Sequence, residues 1–268
     1  MTDERAPSVR VTLLGTGTST GIPVPTCSCE ICTSSDPRDD RLRCSCLIEV
    51  GNLSIIVDTG PDFRTQCLRF GIKRIDAVLL THEHFDHVAG LDDLRAFLLD
   101  EPSPIPVFTN PHTAIVLRRR YDYIFADGSY PGVPKLQLTD ADISFRVSSR
   151  YGANDSVDVG CIDILHGTLP VSGFRIGDFA YVTDASQIPE SSIERLQGVD
   201  TLILSALRHE SHPTHFTFGQ AIDAARLIGA RKTYFVHMTH TILHARDNTS
   251  LPEGIELGYD GLVLEVGF

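Results

Sequence analysis

The chain has 268 residues, 42% hydrophobic and 22% charged, the balance of an ordinary globular protein long enough for a large buried core. Its formal net charge of −12 disfavours nucleic acid as a partner, because phosphate backbones are gripped by lysine and arginine. No apolar run approaches the roughly 18 residues of a membrane span, and the polar Met1–Pro7 segment has no signal-like stretch after it, so no membrane contact is expected.

Taken in chain order, Val9–Leu14 reads as a strand ending in the glycine-rich turn Gly15-x-Gly17-x-x-x-Gly21. That spacing matches neither a dinucleotide loop nor a P-loop, so a tight turn under the active site is expected. The segment 23–43 reads as a loop carrying Cys27-x-Cys29-x-x-Cys32. Leu47–Val50 and Leu53–Val57 form a hairpin about Gly51-Asn52. Ile75–Leu80 is a strand, Val88–Leu99 has helical spacing, Ile105–Phe108 is a strand, and Thr113–Tyr123 a helix. Phe125–Asp142 is turn-rich and stays unassigned. Strands follow at Ile143–Val147, Val159–Leu165, Phe179–Val182, Thr201–Leu204, Thr233–Val236 and Val263–Val266. Helices are expected at Glu190–Leu196 and Ala221–Leu227, the second ended by Gly229. With no repeat and no convincing linker, one layered α/β domain over 1–268 is expected.

Function concentrates in His82-x-His84-x-Asp86-His87, four potential metal ligands within six positions, directly after an apolar strand. In an extended loop His82 and His84 point the same way. The competing reading, a solvated polar loop, fits one histidine far better than this packed group. His166, Asp184 and His237 each follow a strand, which argues for convergence on one sheet edge. Asp58 also ends a strand; it can orient a ligand imidazole or cap the Asp58-Thr59-Gly60 turn. Zinc, manganese and iron all accept such nitrogen and oxygen ligands.

These motifs resemble the metallo-β-lactamase superfamily. Within it, they resemble the phosphodiesterase branch of the cyclic-phosphate phosphodiesterases that accompany bacterial carbon–phosphorus lyase and, more distantly, the tRNA 3′-processing endonucleases. The resemblance runs from Val11 to Gly261 and implies a four-layer αββα sandwich. It further implies that His82, His84 and His166 hold one catalytic metal, Asp86, His87 and His237 a second, and Asp184 bridges them. Two such metals, manganese, zinc or iron, would share a hydroxide that attacks a small cyclic ribosyl or nucleotide phosphodiester. His215, ahead of the Ala221 helix, would then supply the leaving-group proton. The resemblance also implies a homodimer.

The seven cysteines are an odd number, and their tight cluster suits metal better than a disulfide framework, which places the chain in a reducing cytoplasm. Cys27, Cys29 and Cys32 lack the fourth ligand of a closed zinc site; the resemblance points to His240, making a structural zinc. Cys44, Cys46, Cys67 and Cys161 read as small buried hydrophobes. His209 and His212 have at most a substrate contact to offer, and His112 and His244 read as structural. Rival functions are a tRNA 3′-end endoribonuclease, for which no basic arm is present, a thiolester or β-lactam hydrolase, a pyrroloquinoline quinone biosynthesis relative, and a non-enzymatic metal-binding module.

Overall fold

The computed structural model describes residues 8–126, 132–152 and 154–268. Met1–Pro7, and 127–131 within the unassigned middle, lie outside the described residues. The strands are β1 (Ser8–Gly15), β2 (Ser45–Val50), β3 (Leu53–Val57), β4 (Ala77–Leu79), β5 (Ile105–Thr109), β6 (Leu136–Asp140), β7 (Ser144–Ser148), β8 (Ser156–His166), β9 (Leu169–Ile176), β10 (Phe179–Val182), β11 (Thr201–Ser205), β12 (Lys232–Val236), β13 (Ile255–Leu257) and β14 (Val263–Gly267). The helices are α1 (Phe63–Phe70), α2 (Phe85–Val88), α3 (Pro111–Arg120), α4 (Asp122–Phe125), α5 (Glu190–Leu196), α6 (Phe218–Ile228) and α7 (His244–Asp247).

Among the described residues the strands form two seven-stranded sheets, β14-β1-β2-β3-β4-β5-β6 and β13-β12-β11-β10-β9-β8-β7. Side chains alternate along β1, so Val9, Val11 and Leu13 enter the core between the sheets while Leu14 turns outward. The same inner core takes Ile55 and Val57 from one sheet and Val159, Phe174, Tyr181 and Ile203 from the other. On the outer face of the first sheet, Ile56, Val78 and Leu80 pack against Phe63, Leu91, Leu94 and Leu117. On the outer face of the second, Ile162, Val182 and Leu202 pack against Ile193, Leu196, Phe218, Ala221 and Ala225. The layers are therefore α, β, β, α, and strands covered on both faces read as continuous apolar runs.

The hairpin at Gly51-Asn52 is present, with Leu53 opposite Val50 and Gly51 at φ +58°. Helix α6 closes at Gly229 in the left-handed region. Expected and observed structure part at Val88–Leu99. Val88 ends the four-residue α2, and 91–98 is a 3-10 stretch. Gly90 interrupts them: its N–H donates to Thr59 O, and a Cβ there would lie 2.4 Å from Gly60 O. Tertiary contact beneath the histidine loop thus overrides the helical spacing. Cys67 departs from expectation too, since it is only half-buried, on α1; Cys44, Cys46 and Cys161 are buried.

Candidate metal centre

The sheets deliver their chemistry at strand ends. Asp58 follows β3, Thr81 and His82 follow β4, His166 ends β8, Thr183 and Asp184 follow β10, and His237 follows β12. Three of these residues, Asp58 (φ +60°), Asp184 (φ +57°) and His237 (φ +62°), hold the left-handed backbone that side chains rarely adopt. Such strain persists only where surrounding packing enforces it, and it marks functional sites.

The ligand atoms of His82, His84, His166 and Asp184 lie within 4.8 Å of one another, as do those of Asp86, His87 and His237. His82 Nε2 and His84 Nδ1 approach to 2.9 Å. Asp184 lies between the groups, with Oδ2 3.8 Å from His82 Nε2 and 3.4 Å from His237 Nε2, and Oδ1 3.5 Å from His87 Nε2. Asp86 Oδ2 stands 3.3 Å from His87 Nε2 and 3.6 Å from His237 Nε2. His84 is exposed while most of its neighbours are buried, so the centre opens to solvent on that side.

Hydrogen bonds fix which ring nitrogens face the cluster. His87 Nδ1 donates to Asp58 Oδ2 at 2.6 Å. The Thr81 hydroxyl donates to Asp58 at 2.9 Å and stands 3.0 Å from His82 Nδ1, whose proton it accepts. His166 Nδ1 donates to Thr214 O at 2.6 Å. Each bond places a proton on Nδ1 and turns Nε2 toward the cluster, the nitrogen through which the neutral imidazole would bind metal. Asp58 therefore orients one imidazole in each group.

The electrostatics ask for cations. Burial alone would depress His87, but Asp184, Asp86 and Asp58 outweigh it and push its pKa well above the usual value. Burial would raise Asp184, yet His237, His87 and His82 hold it well below the carboxylate range. Burial and then His87 drive His82 well down. His87 Nε2, both nitrogens of His237 and His215 Nδ1 are buried with no hydrogen-bond partner. Leaving such groups unsatisfied costs about 1–3 kcal/mol each. Convergent, unpartnered nitrogens among carboxylates fit divalent metal ions.

His215 stands on the loop before α6, with Nδ1 4.0 Å from Asp184 Oδ2 and its ring 4.9 Å from that of His237. Its ligand atom also falls within 4.8 Å of those of Asp184 and His237. Burial, and then His237, push its pKa down to about 3, so it rests neutral in the free site. His212 packs beside it at 5.0 Å between ring centroids, whereas His209 pairs with Asp247 at 3.4 Å.

The second cluster is independent. The sulfurs of Cys27, Cys29 and Cys32 lie 3.3, 3.5 and 3.5 Å from His240 Nδ1. Bonds of about 2.3 Å to sulfur and 2.0 Å to nitrogen at tetrahedral angles set an S···N edge of about 3.5 Å. The Cys32 backbone N–H holds the Cys29 thiol down to about 6, which favours the thiolate that metal requires. His244 lies outside this group, and its backbone N–H donates to Asp39 at 2.8 Å. His112 lies outside both clusters, 3.2 Å from Glu83 Oε1. Glu83 itself was not singled out from the sequence, although it sits inside the histidine motif and is buried.

No helix among the described residues is long and apolar enough to cross a membrane. A solved diphosphatase of the PhnP family matches with a TM-score of 0.87 at 38% identity, covering 97% of this chain and 99% of that one. A curated octanoyltransferase of Porphyromonas gingivalis is 41% identical over 260 residues; the match takes in 95% of this chain and 51% of that protein, so the chain spans about half the length of that relative. Ribonuclease Z of Mycobacterium bovis is 30% identical over 217 residues, 75% of this chain and 71% of the enzyme. The family model for the beta-lactamase superfamily domain matches residues 54–238, which hold both histidine groups, and the chain belongs to the metallo-β-lactamase superfamily.

Proposed function

We propose that this chain is a dinuclear metal-dependent phosphodiesterase acting on a small phosphodiester. The carrying observation is the pair of ligand groups with Asp184 standing between them, within 3.8 Å of His82 and within 3.5 Å of His87 and His237, and with buried ring nitrogens left unpartnered. In this reading His82, His84 and His166 hold one ion, Asp86, His87 and His237 the other, and Asp184 both. Manganese, zinc or iron bound there would lower the pKa of water and neutralise phosphate charge. The protein's own part is to hold the ring nitrogens through Asp58, Thr81 and Thr214, and to present His215 to the leaving oxygen. A neutral His215 becomes an acid only after gaining a proton, and an anionic phosphate beside it favours that protonation.

Cys27, Cys29, Cys32 and His240 would carry a structural zinc in the loop at about 23–43, within one hydrolase domain spanning 1–268. All seven cysteines are free, which supports a cytoplasmic setting. The net charge of −12 supports a small substrate over nucleic acid. Family resemblance supports a homodimer, which sedimentation would measure.

One rival substrate has specific support: the relative at 38% identity is a diphosphatase. A substituted diphosphate presents the same disubstituted phosphorus, with a phosphate as its leaving group. The test is turnover of bis(p-nitrophenyl) phosphate, a cyclic ribose phosphate and a nucleoside diphosphate ester by manganese-loaded protein, with metals counted. About three ions per chain and turnover abolished by Asp184→Ala are expected. Saturation at one ion per chain, or near-normal turnover by a metal-replete Asp184→Ala, would sink the reading.

A further inference from the structure

Glu83 is a buried carboxylate, 8% exposed, in the middle of the histidine motif, and the proposed chemistry makes no use of it. Its neighbours His82 and His84 both face the metal centre. In extended backbone the residue between them faces the other way, and Glu83 turns into α3. Its Oε2 accepts from the Thr113 hydroxyl at 3.1 Å, and its Oε1 lies 3.2 Å from His112 Nε2. The Arg120 guanidinium, one helix length away, donates to the Glu83 carbonyl.

Helix α3 is itself fixed to the sheet edge. Asn110 caps it by accepting from Thr113 N at 2.8 Å. The Asn110 amide donates to Ser172 Oγ at 3.2 Å and to Thr81 O at 3.5 Å. The first turn of a helix also carries partial positive charge, which favours a carboxylate there. The histidine loop is thus gripped from behind at both ends of one rigid element.

We propose that Glu83 is a positioning residue that sets the His82–His84 geometry by locking the loop to α3 through Thr113 and His112. A buried carboxylate needs such partners, since burying its charge without them is costly. The inference rests on the metallohydrolase reading, because it concerns affinity for an ion held by His82 and His84. Supporting residues behind metal ligands are typically worth 10–100-fold in affinity.

The experiment is manganese titration by calorimetry on protein holding one zinc per chain, in the cysteine cluster, with the histidine centre stripped by a chelator and melting temperature, kcat and KM recorded alongside. Glu83→Ala should bind manganese at the histidine centre 10–100-fold more weakly and lower kcat at fixed metal, with KM little changed. Glu83→Gln should recover most of this, since its amide oxygen accepts from Thr113 and its N–H reaches His112. Thr113→Val should show a smaller loss in the same direction. Glu83→Ala combined with Thr113→Val should be no worse than Glu83→Ala, because both break one link. Manganese affinity unchanged in Glu83→Ala overturns the proposal, even with a lower melting temperature. Fully additive losses in the double variant overturn it too. If Glu83→Ala does not fold, wild-type affinity in Thr113→Val overturns it. Wild type whose histidine centre takes up none of manganese, zinc and iron overturns the metallohydrolase reading and this inference together.

Discussion

Asp58 Oδ2 stands 2.6 Å from His87 Nδ1, and the same carboxylate reaches His82 through the Thr81 hydroxyl. One side chain thereby fixes the tautomer of an imidazole in each ligand group. Asp58→Ala should weaken both metals by about 10–100-fold. Asp58→Asn should be nearly as damaging, because an amide cannot accept from His87 and Thr81 with both of its polar atoms. Competition titrations against a chelator measure this. Loss confined to one metal would break the claim that Asp58 serves both.

Substitution of His215 tests proton donation separately from metal binding. His215→Ala should cut kcat on a cyclic or alkyl diester by about 10²–10⁴-fold. A p-nitrophenyl diester, whose leaving group departs without a proton, should lose far less. Metal content should be unchanged. Equal losses on both substrates would assign His215 to phosphate binding, and a lost ion would make it a ligand beside Asp184 and His237.

Cys29→Ser tests the second cluster. A closed zinc site contributes folding energy directly, so the variant should release one zinc and melt at a lower temperature. Turnover per catalytic metal should change less. Retention of both zinc content and melting temperature would remove Cys29 from the ligand set.

Asp260 gives the fold a pH signature away from the metals. It accepts from Thr16 Oγ1 and Leu42 N at 2.8 Å each, yet burial pushes its pKa up to about 7. A carboxyl with a folded pKa above its unfolded value binds more protons when folded. Its contribution is therefore full below about pH 4 and is lost as pH rises to about 7, a change on the order of 4 kcal/mol. Asp260→Asn should flatten that decline in denaturant unfolding measured across pH 4–7. Parallel curves for the two proteins would show that Asp260 ionises freely in the fold.

The His82–His87 group was legible because its members are contiguous, and His166, Asp184 and His237 because each trails an apolar strand. Strand β9 was not legible: Pro170 and Gly173 within it look like breakers. Gly173 is there for a tertiary reason, since a Cβ would lie 2.8 Å from Ile164 Cδ1 and 3.0 Å from Tyr181 O. The unassigned middle hides β6, whose burial alternates only weakly at the sheet edge. Helix α1 and the three-residue β13 were missed as well. The grip of α3 on Glu83 joins residues 29 or more positions apart, and no local pattern announces it.

The left-handed backbones at Asp58, Asp184 and His237 carry a further consequence. Each costs on the order of 1–3 kcal/mol that glycine would not incur, so the sequence at these positions is poor for folding and good for chemistry. At Asp184 and His237 glycine would relieve that strain while impairing the centre, whereas at Asp58 it would also orphan the buried donors of Thr81 and His87. Robustness and turnover would thus be set against each other at Asp184 and His237 but aligned at Asp58, and stabilising this protein without silencing it means leaving all three untouched.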